Sequence, residues 1–135
     1  SMTSSDLDGV IAANHAFYAA FEARDLDAMS KAWEHSDRVV CTHPGWATLR
    51  GWGRVAASFF ALFQNAQRLQ FILTDESAEV MGDVGWVAVD ENILDTANAT
   101  TVAALNVFAR NEVGEWLMVA HHASAVSAAD SGGGT

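Results

Sequence analysis

The sequence predicts an α+β fold in which three N-terminal helices pack on one face of a curved, mainly antiparallel sheet. Two observations carry this. Apolar residues recur with a helical period through residues 6–65, and from Arg68 onward the period changes to that of a strand. Short polar turns then cut the second half into four long strands, the pattern of consecutive hairpins. Helices first and a meander afterwards make an α+β order, with the helices covering one sheet face.

The first helix spans Asp6 to Ala23, with Ser4, Ser5 and Asp6 as candidate caps. Val10, Ala13, Phe17, Ala20 and Phe21 form its apolar stripe. Asp25 caps a second helix from Leu26 to Trp33, in which Leu26, Met29, Ala32 and Trp33 share a face. A strand at Arg38–Thr42 leads into the turn His43-Pro44-Gly45-Trp46 and then Gly51-Trp52-Gly53. This stretch holds the chain's only proline and two of its five tryptophans, an unusual use of large aromatics for a loop. It is expected to close over an apolar pocket. The third helix, Gly53 to Asn65, is apolar round more than half its circumference, so it is buried on more than one side or faces both a core and a cavity. Strands follow at Arg68–Val80, Val84–Leu94, Ala99–Arg110 and Glu115–Ala125. Residues 2–127 are expected to form one domain and 128–135, which include Gly132-Gly133-Gly134, a flexible tail.

Half of the 135 residues are hydrophobic, enough for a substantial core. The net charge is −10, from 17 acidic and 7 basic residues. That opposes nucleic acid or an anionic membrane as partner, since both need clustered Lys and Arg. One cysteine excludes an intrachain disulfide and suits a reducing compartment, so a cytoplasmic location is expected. No apolar run has the length of a membrane span, and residues 1–10 lack the basic start and apolar core of a signal peptide.

Strand alternation groups Trp86, Ala88, Asp90 and Asn92 on one face and Val87, Val89 and Glu91 on the other. It groups Asn106 with Val102, Ala104 and Phe108, and His122 with Trp116, Met118, Ala120 and Ser124, opposite His121. Both faces are largely apolar. Helices cover one, and the other is expected to pack against a second copy in a homodimer. Polar side chains inside strands need partners, and a curved sheet can gather His, Asn and carboxylate at a cavity mouth. The candidate chemical groups are therefore His43 and His122 for proton transfer, Glu91 beside them, and Asn106 as a hydrogen-bond donor to an oxyanion. Tyr18, Trp33, Trp46, Trp52, Phe60, Phe63, Trp86 and Asp90 are the candidate ligand-contacting residues. Neither Ser58 nor Ser124 sits in a nucleophile elbow, and Gly51-Trp52-Gly53 is too short for a phosphate loop. His43, His121, His122 and Glu91 include adjacent histidines that point to opposite faces, and zinc-type spacing is absent. No metal and no cofactor are expected.

Several strings together resemble a known family. They are Phe17 to Asp27 (FYAAFEARDLD), Trp33 to Gly53 (WEHSDRVVCTHPGWATLRGWG), Gly85 to Ile93 (GWVAVDENI), Asn106-Val107-Phe108 and Trp116 to Ser124 (WLMVAHHAS). Over residues 6–127 the chain resembles a nuclear-transport-factor-2-like domain of the SnoaL-like kind, related to polyketide cyclases and ketosteroid isomerases. The resemblance implies a cone-like α+β barrel, open at one end, with an apolar cavity between helices and sheet, and dimerisation through the sheet. Tyr18 lies on the helix corresponding to the one that carries the steroid isomerases' tyrosine. Cys41 and His43 stand where those enzymes place a general-base Asp.

The expected function is binding of a small apolar or amphipathic molecule in that cavity. Isomerase- or cyclase-like lyase chemistry by His/carboxylate proton transfer is one reading. A non-catalytic ligand-binding or dimerisation domain is the other.

Overall fold

The computed structural model describes residues 3–65 and 67–127, so the expected tail at 128–135 lies outside the described residues. The elements are α1 (Ser4–Ala23), α2 (Leu26–Ala32), β1 (Val40–Thr42), β2 (Leu49–Arg50), α3 (Trp52–Phe63), β3 (Gln70–Met81), β4 (Val84–Leu94), β5 (Ala99–Arg110) and β6 (Trp116–Ala125). The helix-then-meander order read from the periodicity is the observed one, in an α+β fold with an open, curved, mostly antiparallel sheet. The sheet order is β2-β1-β6-β5-β4-β3. β1 runs parallel to β6, with Cys41 opposite His121, and this brings the His43 turn next to the last strand. Among the described residues, no helix is long and apolar enough to cross a membrane.

Local chemistry sets the boundaries. α1 is capped by Thr3, whose hydroxyl accepts from the Asp6 amide, one residue ahead of the expected caps. It ends at Arg24, a non-glycine residue in the left-handed region (φ 53°), with the Arg24 and Asp25 amides closing on Phe21 and Ala20 carbonyls. Asp25 caps α2 through the Ala28 amide. The Pro44-Gly45 pair forms a tight turn in which Trp46 N–H donates to the His43 carbonyl at 2.9 Å, with Gly45 at φ 82°. That is the geometry of a type II turn, which favours Pro then Gly.

The inner sheet face and the helices enclose one core. Phe17 packs edge-on against Tyr18, Phe21, Trp33 and Phe59, and Phe21 against Phe63 and Phe71. Offset and edge-to-face rings add about 0.5–1.5 kcal/mol per pair beyond their buried area. Gly85 lets α1 approach β4, because a Cβ there would meet Val10 Cγ2 at 2.5 Å.

Two irregularities shape the sheet. In β3 the register shifts between Thr74 and Ser77, with Asp75 at φ 51°. In β6 it shifts opposite Val107 and Phe108: Val107 pairs with Ala120 but Phe108 with Met118, leaving Val119 as an extra residue. The inward set of β6 is therefore Met118, His121 and Ala123, all buried. Unbroken alternation had put His122 on the Met118 face; the extra residue reverses the phase, and His122 is exposed on the outer face.

Candidate active site

A cavity of about 280 Å³ opens between the helices and the inner sheet face. The end of α1 supplies Phe21 and Arg24, the Pro-Gly turn His43, Pro44 and Trp46, and α3 Leu62 and Phe63. The sheet side supplies Leu69, Phe71, Glu91, Ile93 and His121. The wall is mostly apolar, with three titratable groups, His43, Glu91 and His121, converging on it. Each of the three is almost fully buried.

Glu91 is held by Tyr18, whose hydroxyl donates to Oε2 at 2.5 Å. Burial pushes its carboxyl up to about 7, with the Tyr18 hydrogen bond pulling the other way. The Tyr18 phenol is held far above its ordinary value, first by burial and then by the Glu91 charge and hydrogen bond, so it stays a donor. Behind them lies Asn106 on β5. Its Nδ2 donates to Tyr18 Oη at 3.0 Å and to Asn14 Oδ1 at 2.8 Å. Its Oδ1 lies 2.6 Å from His121 Nδ1. An amide oxygen only accepts, so Nδ1 bears the proton and His121 Nε2 keeps its lone pair. Burial, and next the neighbouring His43 and His122, bring His121 down to about 3.

His43 has a determined tautomer as well. Ser58 Oγ gives its single hydrogen to the Val55 carbonyl at 2.7 Å, so it accepts from His43 Nε2 at 2.9 Å. The Nδ1 lone pair faces the Cys41 thiol, whose Sγ lies 3.9 Å away. Burial brings His43 down to about 4, making it a neutral imidazole at physiological pH. Cys41 lies 3.6 Å from His43 Nε2. Its thiol is pushed up to about 12 by burial and by the Glu91 charge, and so is no nucleophile at neutral pH. Among the described residues, no three His, Cys, Asp or Glu side chains are grouped to hold a metal ion.

The candidates from sequence fall into three groups. His43, Glu91, Trp46 and Phe63 line the cavity, with Trp46 at its rim, 42% exposed and edge-on to His43. Tyr18 and Asn106 sit behind the wall. Asn106 spends both amide hydrogens inside the protein, so it cannot donate to an oxyanion and instead orients His121 and Tyr18. The others lie elsewhere. Trp33 is core, packed on Phe17, Phe59 and Trp52. Trp52 stacks on His35 at 4.4 Å and, with the exposed Phe60, lines a separate depression between α2 and α3. Trp86 and Asp90 point to the outer face, because the inward residues of β4 are Gly85, Val87, Val89 and Glu91. His122 is outside, and His121 takes the inner position. Of the residues sequence reasoning passed over, Asn14 left a signal: a polar side chain between Val10 and Phe17 on the apolar stripe of α1. The bulge that re-aims His121 left none, as no glycine marks it.

A carboxyl raised in the folded state stabilises the fold below its ordinary 4.5, a contribution lost as pH rises through about 7. His43 and His121 act oppositely, their contribution present above 6.5 and lost as pH falls toward about 4 and about 3. These two cancel when wild type is compared with Glu91→Gln. The variant should therefore gain relative stability between pH 5 and pH 8, by up to about 3 kcal/mol. Denaturant unfolding of both proteins at the two pH values measures it, and a pH-independent difference would remove the desolvated carboxylate.

A sequence model of the SnoaL-like domain matches residues 10–128. Among solved structures, the chain is 38% identical to a Streptomyces avermitilis protein of the NTF2-like family provisionally assigned as a dehydratase. That match covers 92% of this chain and 98% of the other, with a TM-score of 0.84. A Thiobacillus denitrificans protein provisionally assigned as a calcium/calmodulin-dependent protein kinase type II association domain is 39% identical, covering 87% and 94% of the two chains at a TM-score of 0.75. The Arabidopsis thaliana F-box protein SKIP8 is 28% identical over 115 residues, 85% of this chain and 48% of the relative, so the chain spans about half the length of the curated relative it matches. The helix-to-sheet architecture and the match across most of its length agree: the chain belongs to the SnoaL-like domain family, within the NTF2-like superfamily.

Proposed function

We propose that the cavity is the active site of a proton-transfer enzyme acting on a small apolar or amphipathic molecule, in the isomerase, cyclase or dehydratase class. The observation that carries this is the convergence of Glu91, His43 and His121 on one mostly apolar cavity, with their proton positions fixed from behind. A carboxyl raised to about 7 is present in both acid and ionised forms near neutral pH and can both give and take a proton, the condition general acid–base catalysis favours. Nε2 of His121, and Nδ1 of His43 beyond its long contact with the Cys41 thiol, are acceptors that Glu91's acid form can complement. In a dehydration, Glu91 protonates the leaving hydroxyl while an imidazole removes the adjacent C–H proton. In an isomerisation one group carries the proton between two carbons. The 38% identical relative assigned as a dehydratase supports the class. The mostly apolar wall lowers the local dielectric and strengthens each of these interactions.

The test uses a panel of small ketones with acidic C–H bonds and β-hydroxycarbonyl compounds in deuterated buffer, followed by NMR. Wild type should catalyse exchange or loss of water with at least one compound, and Glu91→Gln should lose about 10²-fold or more of that rate. Saturable binding with no exchange above buffer, for any compound bound, would contradict the proposal and favour a non-catalytic ligand-binding domain.

We propose further that the chain is a homodimer through the outer sheet face. Cross-strand register brings Trp86 beside Val107, and Ala88 beside Leu105 and His122, on that face. Leu105 is 45% exposed and Ile72 47%, apolar side chains on that face that a second copy would cover. The relative assigned as an association domain supports assembly. Sedimentation at micromolar concentration should give a dimer, and Leu105→Lys should weaken it at least about tenfold; a wild-type monomer would refute it.

A further inference from the structure

We infer that Glu76, a carboxylate at the protein surface, sets the tautomer of the cavity histidine His121 through the amides of Asn14 and Asn106. Glu76 lies inside the β3 register shift, where the left-handed Asp75 turns its side chain toward α1. Its Oε2 accepts from Asn14 Nδ2 at 2.9 Å, and His15 Nε2 lies 2.9 Å from the same oxygen on the solvent side. The side chain is 26% exposed, whereas Asn14 and Asn106 are fully buried.

Donor and acceptor roles propagate inward from there without a free choice. A carboxylate offers no hydrogen, so Asn14 must present Nδ2 to it and turn Oδ1 toward Asn106. Asn106 then presents Nδ2 to Asn14 and Oδ1 to His121. His121 must donate from Nδ1, which leaves Nε2 bare. The second Asn106 hydrogen goes to Tyr18, so the Tyr18 hydrogen goes to Glu91. The oxygen and nitrogen ends of an amide have nearly the same shape. With both amides turned over, the same packing would hold His121 protonated on Nε2, and would direct the Tyr18 hydrogen to Asn106 instead of Glu91. Glu91, poised between donor and acceptor near neutral pH, cannot by itself choose between the two arrangements. Among the described residues, Glu76 is the group on this line of hydrogen bonds that breaks the symmetry, and it is a positioning residue for the cavity base.

The bearing of this on catalysis rests on the proton-transfer reading above. The ring signature does not, because it is read without substrate, so the two can fail separately. The experiment is a long-range ¹H–¹⁵N correlation spectrum of the full chain with ring-labelled histidine near pH 6, with the His121 signals assigned by their loss in His121→Asn. At that pH His121 is still neutral. Wild type should show the proton on Nδ1. Glu76→Lys replaces an obligate acceptor by a donor and should move the proton to Nε2. Adding Asn14→Asp to Glu76→Lys supplies an acceptor to Asn106 again and should return it to Nδ1. A wild-type ring protonated on Nε2 would overturn the inference even if Glu76→Lys did not fold. So would a folded Glu76→Lys protein that keeps the proton on Nδ1.

Discussion

The buried amide of Asn106 is the constraint on which the cavity depends. It lies opposite His121 in the β5–β6 register and beneath Tyr18 and Asn14 of α1. With both hydrogens and its oxygen bonded, it joins helix and sheet through three contacts in a site where an unmet polar group costs about 1–3 kcal/mol. The same contacts decide which imidazole nitrogen is bare and where the Tyr18 hydrogen points. Stability and chemical preparation therefore come from one set of hydrogen bonds. Glu91 is the member of that set with most at stake, since its charge is removed from water and offset by one phenol hydrogen.

The architecture was legible because helical periodicity dominates the first half of the chain and strand alternation the second. The apolar girth of the third helix leaves two arrangements open, burial on more than one side or contact with both a core and a cavity. In the structure Val55 and Phe59 are buried in the core while Leu62 and Phe63 line the cavity. The two-residue β2 was not legible, being too short to show alternation. The parallel pairing of β1 with β6 joins segments far apart in sequence, and no local signal announces it.

The site was legible in part, and the division has a physical cause. His43 and Glu91 do line the cavity, one carried there by a distinctive Pro-Gly turn and the other by a strand whose alternation is unbroken. His121 was exchanged for His122 because alternation was carried through a bulge with no glycine in it. Trp86 and Asp90 lie opposite Glu91 in the alternation of β4 and so face away from the cavity. Trp33 and Trp52 were misassigned because apolar periodicity does not separate core from cavity wall. The links from Asn106 to Asn14 and from Asn14 to Glu76 cross 92 and 62 residues of sequence separation, and only the folded chain brings them together.

What unites these features is a carboxyl group kept close to neutral pH in an apolar cavity by burial, and oriented by a network that reaches the surface. Titration of side-chain carboxyl ¹³C-labelled glutamate, with Glu91 assigned by its loss in Glu91→Gln, reads this property directly. A midpoint near 7 is the predicted result. A midpoint near the ordinary 4.5 would mean that Glu91 is solvated, and would contradict the account at its centre.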